Sequence, residues 1–187
     1  MSGVEIVLSV IAVLALLVTS LVLFTANTAR RVGRALPPAG RFVDINGARI
    51  HYVELGAGPV TRLLVHGLGG NALTFTHSLV AQLAHEFRVI VVERPGSGYS
   101  RRAAGAAARP IAQAETVAAF IRTLSLDRPV LVGHSLGGAI SLATAVAHLS
   151  LVHALALIAP LTLLQNRPPA VPSCARRSGG RSPRRSR

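Results

Sequence analysis

The chain of 187 residues is poor in cysteine and in acids, and it lacks lysine, since all 20 of its basic residues are arginine. Because Cys174 has no second cysteine to pair with, an internal disulfide is excluded and no oxidising compartment is required. Only seven residues are Asp or Glu, and none of them follows Asp127. The last part of the chain therefore offers no carboxylate to assist another group.

The formal net charge of +13 invites comparison with nucleic-acid-binding proteins. Seven of the arginines, however, lie within residues 167–187, where no aromatic side chain is interleaved to stack on bases. The same segment has no pattern for a folded element that would enter a groove. We therefore expect no specific nucleic-acid partner, while attraction of this segment to phosphate or anionic lipid stays open.

A long apolar run stands near the start of the chain, where residues 6–29 are 24 consecutive residues without a charge. As a helix this run would span about 36 Å, against about 30 Å of bilayer hydrocarbon. A signal peptide has a shorter apolar stretch, of about 7 to 15 residues, and begins with basic residues that are missing here. A buried core helix apolar on every side would need a larger protein around it. Residues 4–29 are therefore interpreted as a transmembrane anchor.

Basic residues follow this anchor and none precedes it, apart from the terminal amine. Arginine enrichment marks the cytoplasmic side of a membrane helix. The sequence therefore predicts a single-pass membrane protein whose remaining chain lies in the cytoplasm. The arginines concerned are Arg30, Arg31, Arg34 and Arg41.

The rest of the chain divides into three parts by composition. Residues 30–40, which include Pro37 and Pro38, are predicted to be a linker. Residues 41–164 are predicted to be one globular domain, because half of the chain is apolar and strand and helix patterns alternate there. Residues 165–187 collapse into Pro, Arg, Ser, Gly and Ala, which predicts a disordered tail.

Strands and helices alternate within the predicted domain. The pair Asn46-Gly47 favours a two-residue hairpin turn between two antiparallel edge strands. The later strands are separated by helices, which predicts an α/β fold with a mostly parallel wound sheet and helices on both faces. Predicted strands cover residues 42–45, 49–55, 62–65, 88–92, 129–132 and 154–158, and predicted helices cover residues 72–85, 111–124 and 138–147.

One motif at the end of a predicted strand carries chemistry. Ser135 lies in a Gly-x-Ser-x-Gly frame, between an apolar strand and a helix rich in small residues. This arrangement is a nucleophile elbow, in which two glycines allow a turn tight enough to hold the serine in a strained conformation. Reactive groups belong at the carboxyl ends of parallel strands, where His66 and Glu93 are also predicted.

Four segments together resemble the α/β-hydrolase family, in order and in spacing, over residues 41–164. The second usually opens with Asp where this chain has Glu93, which keeps the carboxylate. The segments are the strand followed by residues 66–70 (HGLGG), the strand followed by residues 93–100 (ERPGSGYS), residues 126–138 (LDRPVLVGHSLGG) and residues 155–160 (LALIAP).

The resemblance implies that Ser135 is the catalytic nucleophile of a serine hydrolase, acting on a small ester-like carbonyl substrate. A serine hydroxyl needs a base, and the oxyanion that forms needs donors fixed in advance. The implied donors are the backbone amides of Leu68 and Leu136. No metal and no organic cofactor is expected. Esterase, lipase, carbon–carbon hydrolase, acyltransferase and perhydrolase chemistry stay open, whereas relatives that open epoxides or remove halides carry Asp at the elbow.

Other residues of these motifs are expected to support the site. Glu93 is given a structural role beside it, with no imidazole to orient. His134 is interpreted as packing of the elbow, and His66 as a neighbour of substrate or of Ser135. The motif and support residues are His66, Gly67, Gly133, His134, Gly137 and Glu93.

The family's acid and histidine should follow the serine along the chain, and no acid does. His148 would lie about 20 Å down the helix that starts at Ser135. His153 would enter the next strand at its amino end, also about 20 Å from the catalytic face. Neither histidine reaches Ser135. We therefore expect impaired activity, and the alternative is a catalytically inactive fragment or an interaction protein.

The predicted sheet stops at its sixth strand, where the family's sheet continues with two strands that bring the acid and the base. We therefore expect a domain truncated after that strand, with an uncovered apolar edge. The arginine bias indicates GC-rich codons, so a shifted reading frame would explain residues 165–187. A genuine disordered basic tail is the alternative.

Overall fold

A computed structural model describes residues 2–76 and 79–161 of the chain. The predicted tail, residues 165–187, lies outside the described residues, as does His77. Five α-helices and six strands are described. The helices are α1 (Gly3–Ala35), α2 (Leu73–Thr76), α3 (Leu79–Leu83), α4 (Pro110–Thr123) and α5 (Leu136–Ala147), and the strands are β1 (Arg41–Ile45), β2 (Ala48–Leu55), β3 (Thr61–Val65), β4 (Arg88–Val92), β5 (Val130–His134) and β6 (Ala154–Ile158).

The six strands form one sheet in the order β1-β2-β4-β3-β5-β6. Strands β3 to β6 pair in parallel, whereas β2 pairs antiparallel with both β1 and β4. Of the two strands predicted to lie at an edge, only β1 does so, because β2 lies between β1 and β4. The turn between β1 and β2 uses positive φ angles at both Asn46 (49°) and Gly47 (78°), which suits the twist of a two-residue hairpin. The predicted α/β fold with a mostly parallel wound sheet is confirmed.

Helices cover both faces of the sheet, because alternate side chains of each strand point to opposite sides. On one face, Leu63 and Val65 of β3 pack in a core with α4 and α5. On the other face, Leu64 packs in a second core with Phe75 of α2 and Val80 of α3. These layers hold the carboxyl ends of β3, β4 and β5 side by side.

Helix α1 has 33 residues and a length of about 50 Å. It is long and apolar enough to cross a membrane, and a signal sequence would have the same character. None of its residues is buried, and Ser2 and Glu5 form a reciprocal cap at its start. The helix continues to Ala35, six residues into the segment predicted as a linker, and its last turns carry the arginines there. Pro37 prevents further extension, because a residue before proline avoids the helical region.

The helical segment after β3 differs most from its prediction. The sequence predicts one helix over residues 72–85, and the structure describes α2 and α3 within it, with α3 ending at Leu83. Residues Thr74, Phe75 and Thr76 are weak helix formers, because β-branched and aromatic side chains lose rotamer freedom in a helix. By contrast, α4, β4 and β6 lie within one residue of their predicted bounds.

Strand β6 is the last described element and pairs with β5 alone. Four of its five residues are exposed, including Leu157 (38%) and Ile158 (42%). An apolar strand with an unpaired edge is a template for pairing with another chain.

The packing of α4 on the sheet gives a stability prediction. Phe120 is 1% exposed, and its ring meets that of Tyr52 edge to face with the centroids 5.3 Å apart. We expect Phe120→Ala to lower the free energy of unfolding by about 3–5 kcal/mol, because it leaves a cavity in the core. Thermal unfolding followed by circular dichroism measures this loss. The matched control is Val146→Ala in α5, where the side chain is 68% exposed and a change within about 0.5 kcal/mol is expected. Equal losses in the two variants would contradict the packing described for α4.

Candidate active site

Ser135 occupies the tight turn between β5 and α5, with φ 51° and ψ −120°. A residue with a side chain rarely adopts this left-handed region, and such strain persists only where the surroundings impose it. The glycines of the motif supply the room. A Cβ on Gly133 would lie 2.6 Å from the carbonyl oxygen of Gly137, and one on Gly137 would collide with the carbonyl oxygen of Val65. The two glycines of the Gly-x-Ser-x-Gly motif are therefore required on steric grounds.

Backbone hydrogen bonds fix the strained serine on both sides. Its N–H donates to the carbonyl of Ile158 at 3.1 Å. Its own carbonyl accepts from Gly138 at 2.9 Å and from Leu161 at 2.8 Å. Among the described residues, nothing hydrogen-bonds to the Ser135 hydroxyl, which is thus not engaged in holding the turn.

The turn after β3 lies directly against this serine. A Cβ on Gly67 would stand 3.0 Å from the Cβ of Ser135 and 3.2 Å from Nδ1 of His134. Within the described part of the chain, the amides of Leu68 and Leu136 donate no backbone hydrogen bond. Leu136 is the first residue of α5, where the helix dipole favours negative charge. The two amides named by the resemblance are therefore not used by the backbone hydrogen bonds of the described residues.

His66 is fully buried, and both of its ring nitrogens have partners. Nε2 accepts from the N–H of Arg94 at 3.1 Å, and Nδ1 lies 2.9 Å from the carbonyl oxygen of Gly67, to which it donates. This network assigns the neutral Nδ1–H tautomer. Burial lowers the pKa of His66 below 6.5, opposed by the hydrogen bond to Gly67 and reinforced by the charge of Arg94. His66 is therefore a structural support of the turn and has no free nitrogen to serve as a base.

Arg94 is a site residue that the sequence reasoning missed. Its guanidinium is buried and donates to the carbonyl oxygens of His66 (2.9 Å) and Gly67 (2.8 Å) and to Oε1 of Gln113 (2.9 Å). Burial lowers the pKa of Arg94, as does the nearby charge of Arg102. The planar fork holds the two carbonyls that precede Leu68, which orients the amide of that residue. The sequence feature that could have identified Arg94 is its position directly after Glu93 in the second of the four segments.

Glu93, in a buried position, connects its own loop to the loop after β3 and to strand β2. Its side chain accepts from the amides of Ala72 (3.1 Å) and Tyr99 (2.6 Å). It also lies 3.1 Å from Nδ1 of His51, at a distance suited to an ion pair but without hydrogen-bond geometry. The expectation that no imidazole accompanies Glu93 is therefore wrong, because the antiparallel pairing of β2 with β4 places His51 opposite Glu93. Three strand spacings, about 14 Å, separate β2 from β5, so this pair does not reach Ser135.

None of the other histidines in the described part of the chain hydrogen-bonds to the serine hydroxyl. His148 lies at the far end of α5, with Nε2 3.0 Å from Glu115 and Nδ1 3.3 Å from Arg122. His153 is exposed before the amino end of β6. Nδ1 of His134 is buried and has no partner in the part of the chain that the structure describes. Across residues 2–76 and 79–161, no cluster of three or more potential ligands could hold a metal ion.

The buried His66 makes stability at the site dependent on pH. Its folded pKa lies below 6.5, so the unfolded chain binds the proton more readily and stability is lost as the pH falls below that value. We expect urea unfolding midpoints to fall between about pH 8 and about pH 5.5, and to fall less in His66→Gln. His153→Gln, at an exposed histidine, is the control and should keep the full dependence. A His66→Gln variant with unchanged pH dependence would contradict the neutral buried imidazole.

Comparisons with known proteins match this geometry. The family described as alpha/beta hydrolase fold matches residues 63–186. Haloalkane dehalogenase 2 of Mycobacterium bovis is 36% identical over 110 residues, which are 59% of this chain and 38% of that protein. The dihydrolipoyllysine-residue acetyltransferase component of the acetoin cleaving system of Cupriavidus necator is 33% identical over 124 residues, 66% of this chain and 32% of that protein. The chain thus spans about a third of the length of these curated relatives.

A solved structure is similar over more of the chain. It is that of a membrane phospholipase A described as a bacterial virulence factor, with a TM-score of 0.63 and 28% identity over 88% of this chain and 54% of that one. Fold, elbow and family match agree, and the chain belongs to the α/β-hydrolase fold family.

Proposed function

We propose that this chain is a membrane-anchored serine hydrolase that acts on an ester-like carbonyl through Ser135. The observation that carries the proposal is the strained serine at the carboxyl end of β5, against a glycine turn with free amide donors. Such a turn exposes a hydroxyl above the sheet, where a substrate can approach it.

In the proposed reaction, Oγ of Ser135 attacks the ester carbonyl while its proton passes to a base. The carbonyl oxygen becomes an oxyanion and accepts hydrogen bonds from the amides of Leu68 and Leu136. Collapse of this intermediate breaks the ester bond, and the alcohol leaves with the proton. Water then releases the acid from Oγ by the same steps. Amides fixed in advance stabilise the developing charge without reorganisation.

The base is the limiting component of this proposal. His66 uses both ring nitrogens to hold the turn, and His148 and His153 lie at the opposite end of the sheet from Ser135. Removing the base of such a triad costs several orders of magnitude in rate. We therefore propose that Ser135 is positioned as a nucleophile and that turnover by this chain is weak.

Serine at the elbow distinguishes this chain from relatives with other chemistry. A dehalogenase is among the curated relatives, but the family members that remove halides carry Asp where this chain has Ser135. The similarity to a membrane phospholipase A supports an ester substrate, and the apolar helix α1 supports the membrane anchor. The arginines at its end support a cytoplasmic domain.

The second candidate function is that of a catalytically inactive interaction protein. The exposed edge of β6 favours it, because an unpaired apolar strand offers backbone groups and side chains to a partner. In that case Ser135 would be a structural remnant and would show no enhanced reactivity.

A fluorophosphonate probe separates the two functions. The probe forms a bond from its phosphorus to Oγ, and fluoride and the hydroxyl proton leave, so it reports a serine placed to act as a nucleophile, even where turnover is weak. We expect labelling of the folded full chain in detergent, lost in Ser135→Ala and kept in the control Ser150→Ala, where an exposed serine is replaced. Gel fluorescence and peptide mapping measure the label. A folded chain that stays unlabelled would favour the inactive reading.

A further inference from the structure

The chain passes from helix α1 into the sheet at the end where the parallel strands have their carboxyl termini. The elbow lies at this same end of the sheet. Strand register defines a row across the sheet, in which Arg41 pairs with Tyr52, Tyr52 with Val92, Val92 with Val65, and Val65 with Gly133. The row ends two residues before Ser135. Arg41 is the first residue of β1, so the end of α1 and the nucleophile are joined to the same level of the sheet.

Hydrogen bonds connect the end of α1 to the oxyanion turn. The Tyr99 hydroxyl donates to the carbonyl of Leu36, the residue that caps α1. The amide of Tyr99 donates to Oε2 of Glu93, whose Oε1 accepts from Ala72 in the loop that follows the turn. Three successive contacts thus connect the end of α1 to the loop that follows the glycine turn.

Apolar side chains are exposed at this end of the sheet. Leu68 is 82% exposed, more than any other large hydrophobic side chain in the described part of the chain, including Phe24 of α1 at 70%. Leu73, at the start of α2, is 45% exposed. Leu68 directly follows Gly67, whose backbone lies close against Ser135. Exposed apolar residues near a site indicate contact with an apolar surface or ligand.

Exposed positive charge lies at the end of α1 and in the loop whose tyrosine contacts that end. The last turns of the helix carry Arg30, Arg31 and Arg34, all exposed. Arg101 and Arg102, which follow the loop of Tyr99, are exposed as well. Arginines near a membrane helix are attracted to anionic lipid headgroups. The charge therefore complements the cytoplasmic surface of a bilayer.

We propose that the end of the sheet formed by the carboxyl termini of its parallel strands faces the bilayer. The substrate is then an amphiphilic ester taken from the membrane surface. The proposal rests on the proposed function of Ser135. Helix α1 holds this end of the sheet toward the lipid, and the arginines contact headgroups. Leu68 and Leu73 enter the interface on either side of the site, so that the ester carbonyl reaches Ser135 while its acyl chain stays in an apolar environment.

Lipid contact at Leu68 is tested on the full chain in vesicles of phosphatidylcholine and phosphatidylglycerol. A Cys174→Ser background receives Leu68→Cys, labelled with an environment-sensitive fluorophore. The matched control is Leu149→Cys, an equally apolar exposed site (75%) beyond the far end of α5, about 18 Å along the helix axis. We expect spin-labelled phosphatidylcholine to quench the label at residue 68 and to leave the label at residue 149 unquenched. Equal quenching at the two sites, or none at residue 68, would overturn the proposal.

Substrate class is tested with two phosphonofluoridate probes, one with a long alkyl chain held in the vesicles and one short and soluble. We expect Ser135 to react at least about tenfold faster with the long-chain probe, because apolar partitioning concentrates it at the site. Leu73→Ser should lower that preference about threefold, and Leu149→Ser should leave it unchanged. Labelling by the short probe without a preference for the long one would overturn the membrane substrate and leave Ser135 as nucleophile. No labelling by either probe would remove the proposed function itself, and the substrate class with it.

Discussion

The close approach of the β5–α5 turn to the end of β3 is the constraint on which the site depends. A backbone can pass this near to another only where side chains are missing, and Gly67, Gly133 and Gly137 provide those positions. The same contact accompanies the left-handed conformation of Ser135 and brings its side chain against the glycine turn after β3. Strain in the serine and proximity of the amides thus have one cause.

Buried polar groups hold the end of β3 and the turn after it, which form the other side of this contact. His66, Glu93 and Arg94 are each nearly inaccessible to solvent, and nearly all of their bonds go to backbone groups of neighbouring loops. Charged groups are rarely buried unless they are paired, so such a cluster is stable only when every partner is in place. The glycine turn after β3 is therefore held by side chains from two strand ends, and His66 contributes by its shape and hydrogen bonds.

Sequence patterns predicted the sheet, the hairpin and the elbow, because each follows from local rules. Alternating apolar runs mark strands, Asn46-Gly47 marks a turn, and the spacing around Ser135 marks a strained nucleophile. The contacts of Arg94 with the turn after β3 were not predicted, and neither was the contact between His51 and Glu93. Both join residues far apart in the chain, at distances set by strand order and register, which one sequence does not state. The extension of α1 to Ala35 was missed because charge, which defines a membrane boundary, does not end a helix.

Strand β6 and the residues just after it also hold the backbone of Ser135. The carbonyl of Ile158, at its last residue, holds the N–H of Ser135, and Leu161 just beyond it holds the serine carbonyl. Outer strands fray more readily than central ones, since fewer contacts must break. Each fraying event at β6 releases the backbone that keeps the serine strained. Within the described part of the chain β6 is the outermost strand, so its opening would release the conformation of Ser135, and a molecule that clamps this strand would preserve that conformation from a distance.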